Sequence, residues 1–157
     1  MRLGLAALAA ALVLASAAHA ASVPEKFNGM WVAAEAPNKE LCQRAEPKGE
    51  DNRPVESMMS IGPEGVTYYE QHCKIVSAKV LPGPNPQGDE RSNLEVGLSC
   101  KGEGMLWSAR EIWHAQTIDG KKVLVVTALS QTNFRDERGR KQNTPSMVTT
   151  SIYNACK

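Results

Sequence analysis

Between its turns, the chain from residue 93 to residue 128 follows a period of two, and paired antiparallel strands are the structure that such a pattern supports. Leu94, Val96, Leu98 and Cys100 alternate with Asn93, Glu95, Gly97 and Ser99, which gives a strand with one apolar face. After a connection over residues 101–104 (KGEG), Met105, Trp107 and Ala109 share one face of the next strand. With Cys100 set opposite Met105, Leu98 meets Trp107 and Val96 meets Ala109, so both apolar faces coincide. The following hairpin is clearer still. Ile118-Asp119-Gly120-Lys121 carries the Asp-Gly pair that suits a two-residue type I′ turn, where both central residues need positive φ. Opposing Ile118 with Lys121 places Ala115 against Leu124, Trp113 against Val126 and Glu111 against Ala128. One continuous face then holds Trp107, Trp113, Leu124 and Val126.

The rest of the chain extends this pattern. Residues 58–61 and 66–69 read as strands joined by Gly62-Pro63-Glu64-Gly65, and residues 74–81 and 147–156 add two more. Three polar stretches read as loops: residues 35–56, residues 82–92 (PGPNPQGDERS) and residues 131–145 (QTNFRDERGRKQNTP). The three prolines of the second exclude a central strand. A short helix over 39–45, capped by Asn38, fits within the first. The expected fold is all-β, a small antiparallel up-and-down barrel or sandwich of about seven or eight strands with minor helix.

Residues 1–20 read as a secretory signal peptide. Arg2 is followed by an apolar run over residues 3–18, which ends at the A-x-A pattern Ala18-His19-Ala20. The run is short for a membrane span of about 20 residues; an uncleaved anchor is the alternative. Cleavage there leaves residues 21–157 as a single domain, long enough to bury roughly two-thirds of its unfolded surface, with no further span. The full chain carries 18 basic and 17 acidic side chains. Losing Arg2 with the leader balances them, so the sequence has no basic stripe for nucleic acid and no polybasic attraction to anionic lipid.

All four cysteines, Cys42, Cys73, Cys100 and Cys156, follow the leader. An even number in an exported small domain implies two disulfides. Their wide spacing lacks the close pairs of a zinc site, so no metal is expected. A hairpin around the proline-rich loop brings Cys73 near Cys100 and leaves Cys42 to meet Cys156. Parity speaks against this, because Val76, Ala78 and Val80 on the core face turn Cys73 outward. A bulge near Glu70-Gln71-His72 would restore the phase. The rival pairing, Cys42 with Cys73 and Cys100 with Cys156, stays open at this level.

Phe27-Asn28-Gly29-Met30-Trp31 matches F-x-G-x-W and resembles the first-strand signature of lipocalins and other calycins. The resemblance implies an up-and-down barrel closed at its base by the tryptophan. The lipocalin T-D-Y motif is absent. The whole layout is also similar to small exported bacterial proteins of uncharacterised function in which G-x-W, Y-E-x-x-C, C-x-G-E-G and Y-x-x-C recur in that order. Here these are Gly29–Trp31, Tyr69–Cys73, Cys100–Gly104 and Tyr153–Cys156. That similarity implies a shared fold and carries no activity.

Catalytic frames are missing. Beyond the leader the histidines are His72 and His114, and the chain has no G-x-S-x-G, P-loop, dinucleotide fingerprint, H-E-x-x-H or calcium loop, so no cofactor is expected. Carboxylates and aromatics remain: Tyr69, Glu70, Glu103, Trp107 and Glu111 are the candidate ligand-binding residues. Glu111 stands out because parity puts it on the face of Trp107 and Trp113, where a carboxyl must be paired, protonated or facing a cavity. A place at a barrel rim or a partnership with an arginine is the structural alternative. The expected function is a non-enzymatic, periplasmic or secreted binding or accessory module for a small apolar ligand or a periplasmic protein. The competing expectation is a lysozyme-inhibitor-like protein that presents residues 82–92 or 131–145 to an exported enzyme.

Overall fold

The computed structural model describes residues 23–36, 38–44, 56–63, 65–82, 93–143 and 148–156. The expected leader and most of residues 82–92 lie outside them. Eight strands follow one another: β1 (Gly29–Ala33), β2 (Met58–Ile61), β3 (Gly65–Tyr68), β4 (Gln71–Leu81), β5 (Asn93–Gly102), β6 (Met105–Ile118), β7 (Lys121–Asp136) and β8 (Thr149–Ala155). Each pairs antiparallel with the next, and β8 returns to pair with β1, which closes an up-and-down barrel. Closure removes the free edges that a sandwich would leave. One helix, α1 (Asn38–Arg44), lies between β1 and β2, close to the expected 39–45. No helix among the described residues is long and apolar enough to cross a membrane.

Turn chemistry sets the registers. Asp119 and Gly120 both adopt positive φ, 49° and 73°, and Ile118 stands opposite Lys121. The pairs Ala115–Leu124, Trp113–Val126 and Glu111–Ala128 follow as the sequence predicts. The β5–β6 register differs from the expected one by two residues. Cys100 faces Trp107, not Met105, and Leu98 faces Ala109. The cause is Glu103, which takes φ 49° beside Gly104 at 73°, so the turn is two residues long and the strands continue through Gly102 and Met105. An even shift preserves the faces, and Leu94, Val96, Leu98 and Cys100 are all buried.

Two further expectations are corrected. The bulge in β4 lies between Ile75 and Ser77, not at residues 70–72. Cys73 and Ile75 therefore point inward, while Val76 and Val80 are exposed and Ala78 packs against the core. Gly97 sits across from this bulge, where a Cβ would run into the Ser77 side chain. Residues 131–136, read as loop, are the end of β7, paired with the start of β6 and irregular between Leu106 and Ser108. Their lack of apolar alternation follows from their position, since most of this segment is at least partly exposed. Asp136 ends the strand by accepting hydrogen bonds from the Arg138 and Arg140 backbone amides and from Arg140 Nε at 2.6 Å.

The disulfides are Cys73–Cys100, joining directly paired residues of β4 and β5, and Cys42–Cys156, tying α1 to the residue after β8. The core fills one end of the barrel. A short 3-10 turn (Glu25–Phe27) inserts Phe27 beneath Trp31, whose Nε1 donates to the Phe27 carbonyl at 2.9 Å. Phe27 also packs on Trp113, with ring centroids 6.1 Å apart. Leu94, Leu98, Leu124, Val66 and Met59 complete the packing, each fully buried side chain stabilising by roughly 1.5–3 kcal/mol.

Candidate functional site

Small side chains leave the other end of the barrel incompletely filled. Ala109, Ala128, Thr149 and Ser151 line a cavity of about 150 Å³ there, together with Tyr68, Trp107, Glu111 and Tyr153 and the Cys73–Cys100 bridge. Every strand from β3 to β8 contributes to it. Inward parity places Tyr68 on β3 in phase with Val66, and Tyr153 on β8 opposite Leu124. Trp107 stacks on Phe134 of β7, with centroids 6.2 Å apart and planes at 13°.

Glu111 is the buried polar or charged residue of the described core, 7 % exposed. Its Oε2 accepts a 2.7 Å hydrogen bond from Trp113 Nε1 and a longer one, 3.5 Å, from the Tyr68 hydroxyl. It is therefore neither a rim residue nor an arginine partner. Arg110 points outward and bonds Glu95 at 2.6 Å. Burial pushes the Glu111 carboxyl above the ordinary carboxylate range, and the bonds from Trp113 and Tyr68 only partly oppose this. Burial likewise raises the Tyr68 phenol well above its usual value, and the Glu111 charge adds to the effect. Tyr153 is raised by burial too, against a hydrogen bond with Ser151. Tyr68 and Tyr153 thus stay neutral as donors and acceptors, while Glu111 holds its proton more tightly than an ordinary carboxyl.

Of the residues singled out in the sequence, Trp107 and Glu111 meet in this cavity. Glu70 and Glu103 occupy the β3–β4 and β5–β6 turns and line a separate groove of about 570 Å³ with His72, Lys101 and Glu137. Tyr68 and Gln71 border both spaces, so groove and cavity adjoin. Tyr69 is half exposed at the turn and lies outside both linings. Sequence reasoning missed Tyr68 and Tyr153. Tyr68 was recoverable, because it shares the parity of Val66. Tyr153 was masked by exposed Ile152, which breaks the usual apolar-in pattern.

His72 and His114 lie outside the cavity lining. His72 Nδ1 lies 3.1 Å from Thr67 Oγ1, and His114 is held between Asn93 and Gln116. No cluster of His, Cys, Asp or Glu among the described residues could hold a metal ion. The arrangement combines aromatic side chains, neutral phenols and one buried carboxyl around the cavity. Compared with known proteins, the chain matches no family model, no curated protein and no solved structure.

Proposed function

We propose that this protein is an exported binding module that takes up a small molecule in the open end of its barrel. The observation that carries the reading is Glu111, a carboxyl drawn inside the barrel and set on the wall of a cavity. Burying such a group costs free energy, and apolar packing would serve stability better. A cavity of about 150 Å³ is also large enough for a guest of about the size of benzene. Two disulfides fit an oxidising compartment, and the sequence of the first 20 residues supplies the route there.

Native mass spectrometry of the oxidised protein, purified from its own compartment under mild conditions, tests the proposal. The expected result is an added small-molecule mass that disappears on denaturation. A bare chain that also acquires no mass from a library of small polar and aromatic compounds would overturn it.

A further inference from the structure

We infer that the guest of the cavity is a small organic cation, a substituted ammonium whose charge is met by Glu111 and whose alkyl groups contact Trp107, Tyr68 and Tyr153. The inference rests on the binding-module reading and narrows it to a ligand class. The described residues around the cavity include one carboxyl and no lysine, arginine or histidine. Facing Glu111 are Tyr68 from β3 and Tyr153 from β8. Gln71, the Cys73–Cys100 disulfide and Gln131 come from β4, β5 and β7. Glu35 also acts on Tyr153 and has the same sign as Glu111. The cavity therefore holds a potential negative charge, with no counter-charge among the described residues of its lining.

An anion would meet repulsion, and a neutral apolar guest would take water from Glu111 while leaving its charge uncompensated, with only the hydrogen bonds from Trp113 and Tyr68 to support it. A cation satisfies it and is also attracted by aromatic rings, of which Trp107, Tyr68 and Tyr153 line the cavity. The hydrogen bonds from Trp113 and Tyr68 both end on Glu111 Oε2, and we assign Oε1 to the guest. The step balances simply. Where Glu111 is protonated in the empty protein, the arriving ammonium displaces its proton, which passes to the buffer, and the carboxylate–ammonium pair carries no net charge.

The test is calorimetric titration of the oxidised protein with choline and with 3,3-dimethylbutan-1-ol, its uncharged carbon analogue, in buffers of different ionisation enthalpy. The expected result is at least tenfold tighter binding of choline, with up to one proton released per cation bound at acidic pH and an affinity that rises with pH. Glu111→Gln should abolish both the preference and the proton release while the near-ultraviolet circular dichroism of the tryptophans is retained. Equal or tighter binding of the alcohol overturns the cation inference and leaves the binding-module reading standing. Unchanged choline preference in Glu111→Gln overturns it also. If neither probe binds and the native spectrum is bare, both readings fail together.

Discussion

Replacing Glu111 with glutamine should make the protein more stable at neutral pH and barely change it at acidic pH. Glutamine keeps an oxygen to accept the 2.7 Å bond from Trp113, so the hydrogen bond survives while the charge does not. The folded protein holds the Glu111 proton more tightly than the unfolded chain, because burial raises its pKa. The stability associated with the protonated form is therefore complete below the unfolded carboxyl pKa, about 4.3. It is lost as pH rises from there through the raised folded value. Across that window the advantage of Glu111→Gln should grow by up to about 1.4 kcal/mol per pH unit. For a domain of this size that is roughly 4 °C in Tm per pH unit. Tyr68 and Tyr153 are both held above the usual tyrosine range and do not titrate there. Surface carboxylates are common to both proteins and cancel in the comparison. The assay is urea denaturation of both proteins at half-unit steps from pH 3.5 to 8. Parallel curves would refute the reasoning. So would a variant that loses ground as pH rises, for then the donors at Glu111 would outweigh its burial and favour the carboxylate.

Other consequences concern the frame. The Cys42–Cys156 bridge closes a sequence separation of 114, against 27 for Cys73–Cys100. Chain-entropy arguments assign about 4.8 and about 3.6 kcal/mol to these loops. The Cys42→Ser, Cys156→Ser double variant should therefore lose about 4–5 kcal/mol in urea denaturation yet retain guest binding, since neither residue lines the cavity. A loss under about 1 kcal/mol would contradict the loop argument. Gly97→Ala should destabilise by about 1–3 kcal/mol through overpacking at the β4 bulge. Ser77→Gly should recover most of that loss, because the added Cβ meets the Ser77 side chain. Strict additivity of the two substitutions in a double-mutant cycle would exclude that contact as the cause.

Legibility in the sequence followed how local the controlling physics was. The β6–β7 register was readable because Asp119 and Gly120 are residue types that tolerate positive φ, and a two-residue turn fixes all pairs beyond it. The β5–β6 register was not, because Glu103 is an uncommon residue at φ 49° and the KGEG connection admits more than one turn length. Parity still carried the faces, so Glu111 was correctly placed inward with Trp113. Hairpin proximity favoured the observed disulfide pairing while leaving the rival open, and the conflict at Cys73 pointed to a bulge in β4. Its position at Val76 depends on Gly97 of the partner strand, which no window along β4 reveals. Tyr68 and Tyr153 join Glu111 only through barrel closure and inward phase, at separations of about 40 residues from it in either direction.

The small residues around Glu111 allow a test of whether the cavity is a site or a packing defect. Ala128 stands directly opposite Glu111 on β7 and is buried at 8 % exposure. If its size served only stability, a larger apolar residue there would either fill space or clash. Ala128→Leu adds three carbons toward a space of about 150 Å³. Burying apolar groups is worth about 0.8 kcal/mol per methylene, so the three added carbons gain at most about 2 kcal/mol. Overpacking would instead cost about 1–3 kcal/mol. The expected outcome is a stability equal to that of the parent or up to about 2 kcal/mol higher in urea denaturation, with guest binding abolished in the same preparation. That combination is the signature of a position where stability is given up for function. A loss of more than about 2 kcal/mol would mean that the space is closed in solution. Retained binding would place the guest elsewhere, with the groove beside Glu70 and Glu103 as the next location to test.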